Sequence, residues 1–462
     1  MDITQPHHPS FNEQELAICL RVLEAAGRMS SDNPQLLTIE RAVSALKKQL
    51  KQKRRDQRKQ ARRQHDLALL ARAQIHREAL PERLRQLAAG VSLEHDQLYT
   101  PQLCYVCKQP YKRVHHFYHQ FCPNCAPEHY SRRYARTDLQ GRRVLVTGGR
   151  IKIGYHIALK MLRDGAHVIV TTRFPKDAAR RYLAETDSHV WGDRLEIYGL
   201  DFRDLRGVMA FIDQLLASAP LNIIINNAAQ TIRRPPAYFK TLVQGEMESL
   251  DQQTRQWVKA ESEALVKKSA LNAFYQLCLS SKEDPNFPDG VLDIEGQPLD
   301  LRDVNSWRLL LDQVEPIEMV EAWLVTTMAP YLFNSRLKPS LMASPFEDRY
   351  IVNVSAVEGQ FSYQNKTPYH PHTNMAKAAL NMMTRTVGMD YVCDRIYMTS
   401  VDTGWITDEK PHPVREYLRQ QGFRPPLDVI DGAARVYDPI VRGLAGERLY
   451  GVFLKDYKPC DW

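Results

Sequence analysis

Apolar residues follow two different spacings in the C-terminal two-thirds of the chain. A continuous apolar run at 144–146 ends in a threonine and two glycines at 147–149, and apolar residues then recur at helical spacing through 153–162. A second apolar run follows at 168–170. This pattern predicts a buried strand, a glycine turn, an amphipathic helix and a second strand, which together make one right-handed crossover unit of a parallel sheet.

Three further apolar runs continue the alternation of strands and helices. They lie at 195–198, 223–226 and 351–355, with stretches long enough for helices between them. Strands that alternate with helices predict an α/β fold with a doubly wound parallel sheet. Ligands bind to such sheets in the crevice at the carboxyl ends of the strands.

The N-terminal part of the chain has a helical pattern throughout residues 12–95. Two groups of apolar residues at helical spacing are separated by a polar cluster and Pro34. The second helix is predicted to continue through residues 47–63, because arginine, lysine, glutamine and alanine are good helix formers. That stretch holds ten basic residues against one acid, Asp56. Such a run is commonly a solvated helix face, and the alternative is contact with phosphate or an acidic protein.

The length of the chain and the length of its apolar runs add to this picture. With 462 residues the chain is too long for one ordinary domain, so we expect a basic helical extension at 1–99, a small module at 100–136 and the sheet domain at 137–462. No apolar run reaches the length that spans a membrane, and the N-terminus has no signal pattern. We therefore expect a cytoplasmic protein without a membrane segment.

Four of the eight cysteines form two close pairs within the small module. Cys104 and Cys107 make the first pair, Cys122 and Cys125 make the second, and fourteen residues separate the pairs. Four thiolates in two such turns suit a tetrahedral zinc ion. Because a closed four-ligand site has no open position for substrate, we expect zinc to stabilise structure rather than to catalyse. The alternatives are reduced cysteines without metal and, less favoured, a redox pair.

The order of these motifs resembles the short-chain dehydrogenase/reductase family over residues 138–462. The family's glycine motif is represented by Thr147, Gly148 and Gly154, and Lys152 replaces its middle glycine. The resemblance implies a Rossmann fold whose glycine loop binds the diphosphate of a dinucleotide. Within that loop, Lys152 and Arg150 add positive charge.

The end of the second strand indicates which dinucleotide is bound. Enzymes that prefer NAD carry an acid here that holds the ribose hydroxyls, whereas this chain has Arg173 and no acid. An arginine can form a forked pair with a 2′-phosphate, so we expect NADP in preference to NAD. The alternative is that Arg173 merely ends a strand in solvent. The cofactor-binding residues implied by the resemblance are Thr147, Gly148, Arg150, Lys152, Ile153, Gly154, Arg173, Asp201, Asn227, Ala228, Lys377, Gly404 and Ile406.

The resemblance also implies a catalytic serine, tyrosine and lysine. Ser355 matches the serine that polarises the carbonyl group, and Lys377 matches the lysine that holds ribose and lowers the pKa of the tyrosine. The tyrosine's place, four residues before the lysine, is taken by Thr373, whose hydroxyl is a far weaker acid. Tyr369 and His370, in the preceding loop, are the other candidates for proton donor.

A long segment at about 230–318 has no counterpart in the usual fold of the family. It follows the fourth strand and therefore lies at the carboxyl end of the sheet, where ligands bind. We expect it to form either a lid or substrate wall, or a surface that binds a partner.

Two functions of different classes are compatible with these residues. The first is an NADP-dependent oxidoreductase that acts on a carbonyl or alcohol group of a small molecule, as the retained Ser355 and Lys377 favour. The second is a catalytically silent dinucleotide-binding sensor or scaffold, which uses the cysteine module and basic helix to bind a protein partner. The missing tyrosine and the altered glycine motif favour this second function. Nucleic-acid binding is the least supported function, and we expect a homo-oligomer.

Overall fold

The computed structural model of the protein describes residues 11–90, 96–259, 270–293 and 295–462. Ten strands form a two-stranded and an eight-stranded sheet within these residues. The strands are β1 (Gln97–Leu103), β2 (Pro110–Arg113), β3 (Arg143–Thr147), β4 (His167–Thr172), β5 (Leu195–Gly199), β6 (Ile223–Asn226), β7 (Arg349–Ser355), β8 (Ile396–Asp402), β9 (Val452–Lys455) and β10 (Lys458–Cys460).

Helices precede the small sheet and alternate with the strands of the large one. The helices are α1 (Glu13–Ala26), α2 (Pro34–Ala71), α3 (Glu82–Gly90), α4 (Ala126–Arg132), α5 (Lys152–Arg163), α6 (Pro175–Leu183), α7 (Ser188–Trp191), α8 (Leu205–Leu216), α9 (Pro236–Met247), α10 (Gln252–Arg255), α11 (Ala270–Leu279), α12 (Pro316–Trp323), α13 (Ala329–Arg336), α14 (Lys338–Met342), α15 (Pro371–Tyr391), α16 (His412–Gln420) and α17 (Val429–Leu444). A π-helical turn at Leu324–Met328 joins α12 to α13.

The large sheet has the strand order β10-β9-β8-β7-β6-β3-β4-β5. All neighbouring strands are parallel except β9 and β10, which are antiparallel. After β5 the chain crosses to the other side of β3, so the order reverses between β3 and β6. This reversal opens a crevice at the carboxyl ends of the strands, which is where doubly wound sheets bind ligands. The predicted fold class is confirmed.

The sheet is buried between two layers of helices. On one face, Ile157 of α5 and Val436 of α17 belong to one apolar core, in which α5 lies against β3 and β4 and α17 lies against β7 and β8. On the other face, Phe211 of α8, Phe333 of α13 and Tyr391 of α15 close a second apolar core. Because both faces are covered, the strands read as continuous apolar runs rather than as alternating ones.

The N-terminal helices extend away from this core. Helix α2 runs for 38 residues, or about 57 Å at 1.5 Å per residue. Only its C-terminal part, from His65 to Ala71, contributes buried side chains, and residues 47–63 are exposed throughout. The predicted helix therefore does continue through the basic run. Residues 91–95, at the end of the predicted helical region, lie outside the described residues.

The cysteine module joins the N-terminal helices to the sheet domain. It contains the β1–β2 hairpin and α4, and it packs on α17. Arg133 makes two buried ion pairs, at 2.7 Å with Asp428 and 2.9 Å with Asp431, and the Tyr118 hydroxyl also donates to Asp431 at 2.5 Å. These contacts fix the module against the carboxyl ends of the strands.

The segment predicted as an insertion packs over the end of β4. Its helices α9 and α11 enclose an aromatic cluster that contains Phe174, Phe239 and Tyr275. The helical stretch predicted near Gln252–Leu277 is helical at its beginning and end, and residues 260–269 lie outside the described residues. None of the helices that the structure describes is both long and apolar enough to cross a bilayer.

Candidate functional site

The glycine loop between β3 and α5 is closely packed against the end of β6. Gly148 has a φ of +69°, and a Cβ at Gly154 would lie 2.2 Å from the Gly148 carbonyl oxygen. The Thr147 hydroxyl accepts the backbone N–H groups of Asn227 and Ala228 at 2.9 and 3.0 Å. Glycine at 148 and 154 therefore lets backbone approach backbone, and Thr147 fixes the loop to β6.

Lys152, which stands where the family motif has a glycine, has a left-handed backbone conformation. Its φ is +52°, in the left-handed region, which costs an L-residue about 1 kcal/mol. Its Nζ lies 3.4 Å from Oε1 of Glu409, in the loop after β8. Burial raises the pKa of Glu409, but Lys152 and the Thr407 hydroxyl more than offset this and lower it to about 2. Glu409 is therefore ionised near neutral pH and holds the lysine across the crevice.

The crevice encloses a cavity of about 410 Å³, a volume typical of small-molecule sites. Nine of the residues predicted from the family resemblance line it. They are Gly148, Arg150, Lys152, Ile153, Gly154, Arg173, Asp201, Asn227 and Ala228. Of the remaining predictions, Thr147 lies just beneath the loop, and Gly404, Ile406 and Lys377 are not among the described residues that line the cavity.

Most cations that line the cavity are paired with acids. Arg150 donates to Asp177 at 2.7 Å and to Gln297 at 2.5 Å, so its fork is already occupied. Arg203 binds Asp201 at 2.6 Å. Burial raises the pKa of Asp201, but the hydrogen bonds from Arg203 and the nearby charge of Arg173 outweigh this effect and lower the pKa. Arg150 and Arg203 therefore bring charge into the cavity wall with the donors of their forks already engaged.

Arg173 differs from the other cations of the cavity. Within the described part of the chain its guanidinium group forms no hydrogen bond and no ion pair. It instead lies over the rings of Phe239, Phe274 and Phe174, at 4.7, 5.3 and 5.6 Å from their centroids. Burial lowers the pKa of Arg173, although nearby Asp201 opposes the shift. The aromatic cage orients a planar fork whose N–H groups remain available to an anion.

Ser355 and Lys377 lie on the far side of β6, at the end of β7 and on α15. The Lys377 ammonium donates to the Val354 carbonyl at 2.7 Å, and burial lowers its pKa to about 8. The Ser355 hydroxyl is buried and has no hydrogen-bond partner among the described residues. Neither residue lines the cavity described above.

The candidate proton donors near Lys377 are engaged in local structure. The Thr373 hydroxyl donates to the His370 carbonyl at 2.9 Å, within the first turn of α15. The Tyr369 hydroxyl accepts from Arg308 at 3.3 Å, and that guanidinium lies over its ring. The His370 ring stacks on Trp307 at 4.0 Å, and burial lowers its pKa to about 4. At neutral pH this imidazole is uncharged and therefore lacks the cationic form that acts as a general acid.

Asp402 is a buried carboxyl group that sequence reasoning missed. It lies at the end of β8, in register with Ser355, and accepts the Val357 N–H at 3.2 Å. Burial raises its pKa to about 7, and Glu358 adds to the shift. A carboxyl with this pKa can give or take a proton near neutrality.

The four cysteine sulfurs of the module converge. All four Sγ atoms lie within 4.8 Å of one another, and Cys107 Sγ is 3.7 Å from Cys122 Sγ. Zinc–sulfur bonds of about 2.3 Å place tetrahedral ligands about 3.8 Å apart, whereas a disulfide needs about 2 Å. Burial raises the pKa of the Cys104 and Cys125 thiols, so a cation is needed to hold them as thiolates.

Comparison with known proteins gives a family match and several similar proteins. Residues 142–253 match the family described as short chain dehydrogenase. An uncharacterised protein of Acanthamoeba polyphaga mimivirus is 33% identical over 374 residues, which cover 77% of this chain and 74% of that protein. A peroxisomal 2,4-dienoyl-CoA reductase of Rattus norvegicus is 31% identical over 136 residues, 28% of this chain and 40% of that enzyme.

Among solved structures, an NADPH-bound carbonyl reductase from chicken fatty liver is 20% identical, with a TM-score of 0.45 over 70% of this chain and all of that one. The family match covers the crossover unit, the glycine loop and the strand that ends at Asn226. This chain belongs to the short-chain dehydrogenase/reductase family of oxidoreductases.

Proposed function

We propose that this protein is an NADP(H)-dependent oxidoreductase that acts on a carbonyl or alcohol group of a small-molecule substrate. The proposal rests on the Arg173 guanidinium group, which forms no hydrogen bond or ion pair with the described residues and lines the cavity that begins at the glycine loop. A phosphomonoester on ribose would offer two acceptor oxygens to this fork. NAD has no such group and would leave Arg173 unpaired.

The residues of the cavity fit a phosphorylated dinucleotide. A Cβ at Gly154 would occupy the space that the loop backbone needs, and the N-terminal amides of α5 face the crevice. Gly148 and Lys152 would hold the diphosphate, Asp201 would contact adenine, and Arg173 would hold the 2′-phosphate. When bound, the nicotinamide ring would donate or accept the hydride.

The proton for carbonyl reduction must come from this chain's own residues. Thr373 is too weak an acid and donates to a carbonyl of its own helix turn. Asp402 has a pKa of about 7 and lies in register with Ser355, so it is the strongest of the candidates. The Lys377 ammonium, with a pKa of about 8, would bind ribose hydroxyl groups and keep positive charge beside the site.

One observation favours the second candidate function, a catalytically silent NADP(H)-binding sensor or scaffold. Ser355, Lys377, Tyr369, Thr373 and Asp402 are all absent from the described lining of the cavity, and most of their polar groups already have partners. In that case the cysteine module and basic helix would bind a protein partner.

The two candidates make different predictions for catalysis. NADPH should bind under both, whereas turnover of a carbonyl panel is expected only from the oxidoreductase. Lys377→Ala should then lower kcat by at least about 100-fold, the size of a lost acid–base or orienting group, with a smaller effect on NADPH affinity. Because Asp402 must be protonated to donate, the rate should fall as pH rises through about 7, and Asp402→Asn should remove this dependence.

Controls separate failure of catalysis from failure of folding. Lys366→Ala removes an exposed lysine of the neighbouring loop, and it should leave turnover unchanged. NADPH binding without turnover of any carbonyl or alcohol would favour the sensor or scaffold function. Absence of NADPH binding would contradict both functions.

The ion pair between Lys152 and Glu409 should compete with the cofactor diphosphate. Glu409→Gln keeps the side-chain shape and releases the lysine, so we expect NADPH affinity to rise about three- to tenfold, as for the loss of a partly exposed pair. Fluorescence titration measures this change. Glu416→Gln removes the acid of a nearby exposed pair on α16 and should have no effect. An unchanged or lower affinity for Glu409→Gln would show that the pair does not oppose binding.

The remaining parts of the proposal concern the N-terminal region. We propose that Cys104, Cys107, Cys122 and Cys125 bind one structural zinc ion.

The apolar residues of α1 and α2 are largely exposed, among them Leu20 and Leu46. This exposure supports self-association or binding of a protein partner through these two helices. A cytoplasmic location remains a prediction.

A further inference from the structure

The loop at 403–411, after β8, is held by the cysteine module on one side. The Tyr105 hydroxyl accepts the backbone N–H of Trp405 at 2.9 Å. Gly404 has a φ of +77°, and a Cβ there would lie 3.2 Å from the same hydroxyl. Ile406 is buried in an apolar cluster with Tyr118 and Phe121 of the module. Three consecutive residues of the loop therefore pack against the module.

The other side of the same loop faces the cofactor cavity. Thr407 and Glu409 line the cavity, and the Thr407 hydroxyl donates to Glu409 at 2.6 Å. Glu409 in turn pairs with Lys152 of the glycine loop. One residue, Ile406, separates Trp405, whose backbone N–H the module binds, from Thr407, which donates to Glu409. A shift of the module would therefore be transmitted directly to the cavity wall.

Tyr105 is placed by the cysteine cluster itself. It follows Cys104 directly, and its backbone N–H donates to Gln120 at 2.8 Å, just before the second cysteine pair. The Cys122 N–H donates to Cys104 Sγ at 3.3 Å. Both cysteine pairs thus border Tyr105, and drawing them onto one ion would fix its position.

We propose that Tyr105 is a positioning residue for the cofactor cavity, and that the metal-bound cysteine module holds the 403–411 loop in the shape that completes it. The inference rests on the proposed binding of NADP(H) and of zinc. Because binding free energies are reciprocal, zinc must strengthen NADP(H) binding by the same factor by which NADP(H) strengthens zinc binding. The structural ion would then have a second role, in setting cofactor affinity.

Tyr105→Phe tests the hydroxyl alone. The ring and the cysteines remain, but the Trp405 N–H loses its acceptor, so we expect NADPH affinity to fall about three- to tenfold, as for one lost hydrogen bond. Zinc content and Tm should stay close to wild type, and the emission spectrum of bound NADPH should change. Tyr111→Phe is the matched control, because the Tyr111 hydroxyl donates to the His119 carbonyl within the module at 2.5 Å and should not affect NADPH.

The linkage is tested on the full-length wild-type protein with zinc and NADPH as the probes. Saturating NADPH should raise the chelator concentration that removes half of the zinc, and the zinc-depleted protein should bind NADPH more weakly by the same factor. If Tyr105→Phe binds NADPH as tightly as wild type, or if the zinc-depleted protein does, the inference is wrong while the proposed function stands. If wild type does not bind NADPH at all, the proposed function itself fails.

Discussion

Arg173→Glu is expected to lower the affinity for NADPH by about 100-fold while leaving the weak affinity for NADH almost unchanged. Two charge-assisted hydrogen bonds to a phosphate are each worth about 1.5 kcal/mol or more, and about 3 kcal/mol corresponds to about 100-fold. The substitution also brings a carboxylate toward the phosphate. The loss should be large because, within the described part of the chain, the Arg173 guanidinium group makes ring contacts but no hydrogen bond or ion pair that the phosphate would have to replace. Fluorescence titrations with NADPH and NADH in parallel measure both affinities.

A second variant at Arg173 shows whether the planar pair of donors or only the positive charge matters, and a control variant changes an arginine outside the cavity. Arg173→Lys keeps the charge but loses the planar pair of donors, so it should have an intermediate affinity. Arg206→Glu changes an exposed arginine at the start of α8 that does not line the cavity, and it should bind NADPH as wild type does. If Arg173→Glu retained its preference for NADPH over NADH, the assignment of Arg173 to a 2′-phosphate would be wrong.

Cys104→Ser is expected to abolish stoichiometric zinc and to lower Tm by at least about 5 °C. Structural zinc contributes directly to folding, and a hydroxyl is a poor replacement for a buried thiolate ligand. Each kcal/mol lost shifts Tm by about 2–4 °C in domains of 150–250 residues. The effect should extend beyond the module, because Arg133 and Tyr118 connect it to Asp428 and Asp431 at the start of α17. Elemental analysis and thermal unfolding of the same samples measure both effects.

Cys393→Ser provides the matched control. Cys393 is exposed and lies after α15, far from the module in sequence, so zinc content and Tm should be those of wild type. Wild-type protein that carries no zinc, even after purification with zinc present, would contradict the metal assignment.

Local patterns were sufficient to predict the parts of the molecule in which neighbours in sequence are neighbours in space. The strand at 144–146, the glycine turn and the helix after it form one crossover unit, and the sheet is built by repeating that unit. The two cysteine pairs converge through two short turns. The helix through 47–63 follows from composition alone, because its side chains are exposed and have no tertiary packing to override propensity.

Contacts between distant segments could not be predicted in this way. The pair of Lys152 with Glu409 joins residues 257 positions apart, and that of Tyr105 with Trp405 joins residues 300 apart. No periodic pattern signals either of them. The aromatic cage of Arg173 likewise depends on helices of the segment at 230–318, which were predicted only as a lid, a substrate wall or a partner surface. The structure packs that segment beside the end of β4, on the Arg173 side of the crevice.

The candidate catalytic residues show a different limit of prediction from sequence. Thr373 occupies the tyrosine's place in the family motif, and the sequence gives no reason to choose among Tyr369, His370 and other residues for its role. Asp402 has no motif of its own, since its raised pKa arises from burial and from Glu358 on another segment. Such electrostatic candidates emerge only once the strands are placed side by side.

The most direct test of the central claim is a crystal structure of the protein with bound NADP⁺. We expect diphosphate oxygens against the backbone of Gly148 and Lys152, and 2′-phosphate oxygens within about 3.2 Å of the Arg173 guanidinium nitrogens. We also expect a longer distance between Lys152 and Glu409 than the present 3.4 Å. An empty crevice in crystals grown at NADP⁺ concentrations that saturate a positive control enzyme, or a cofactor bound with Arg173 still unpaired in its aromatic cage, would contradict the account.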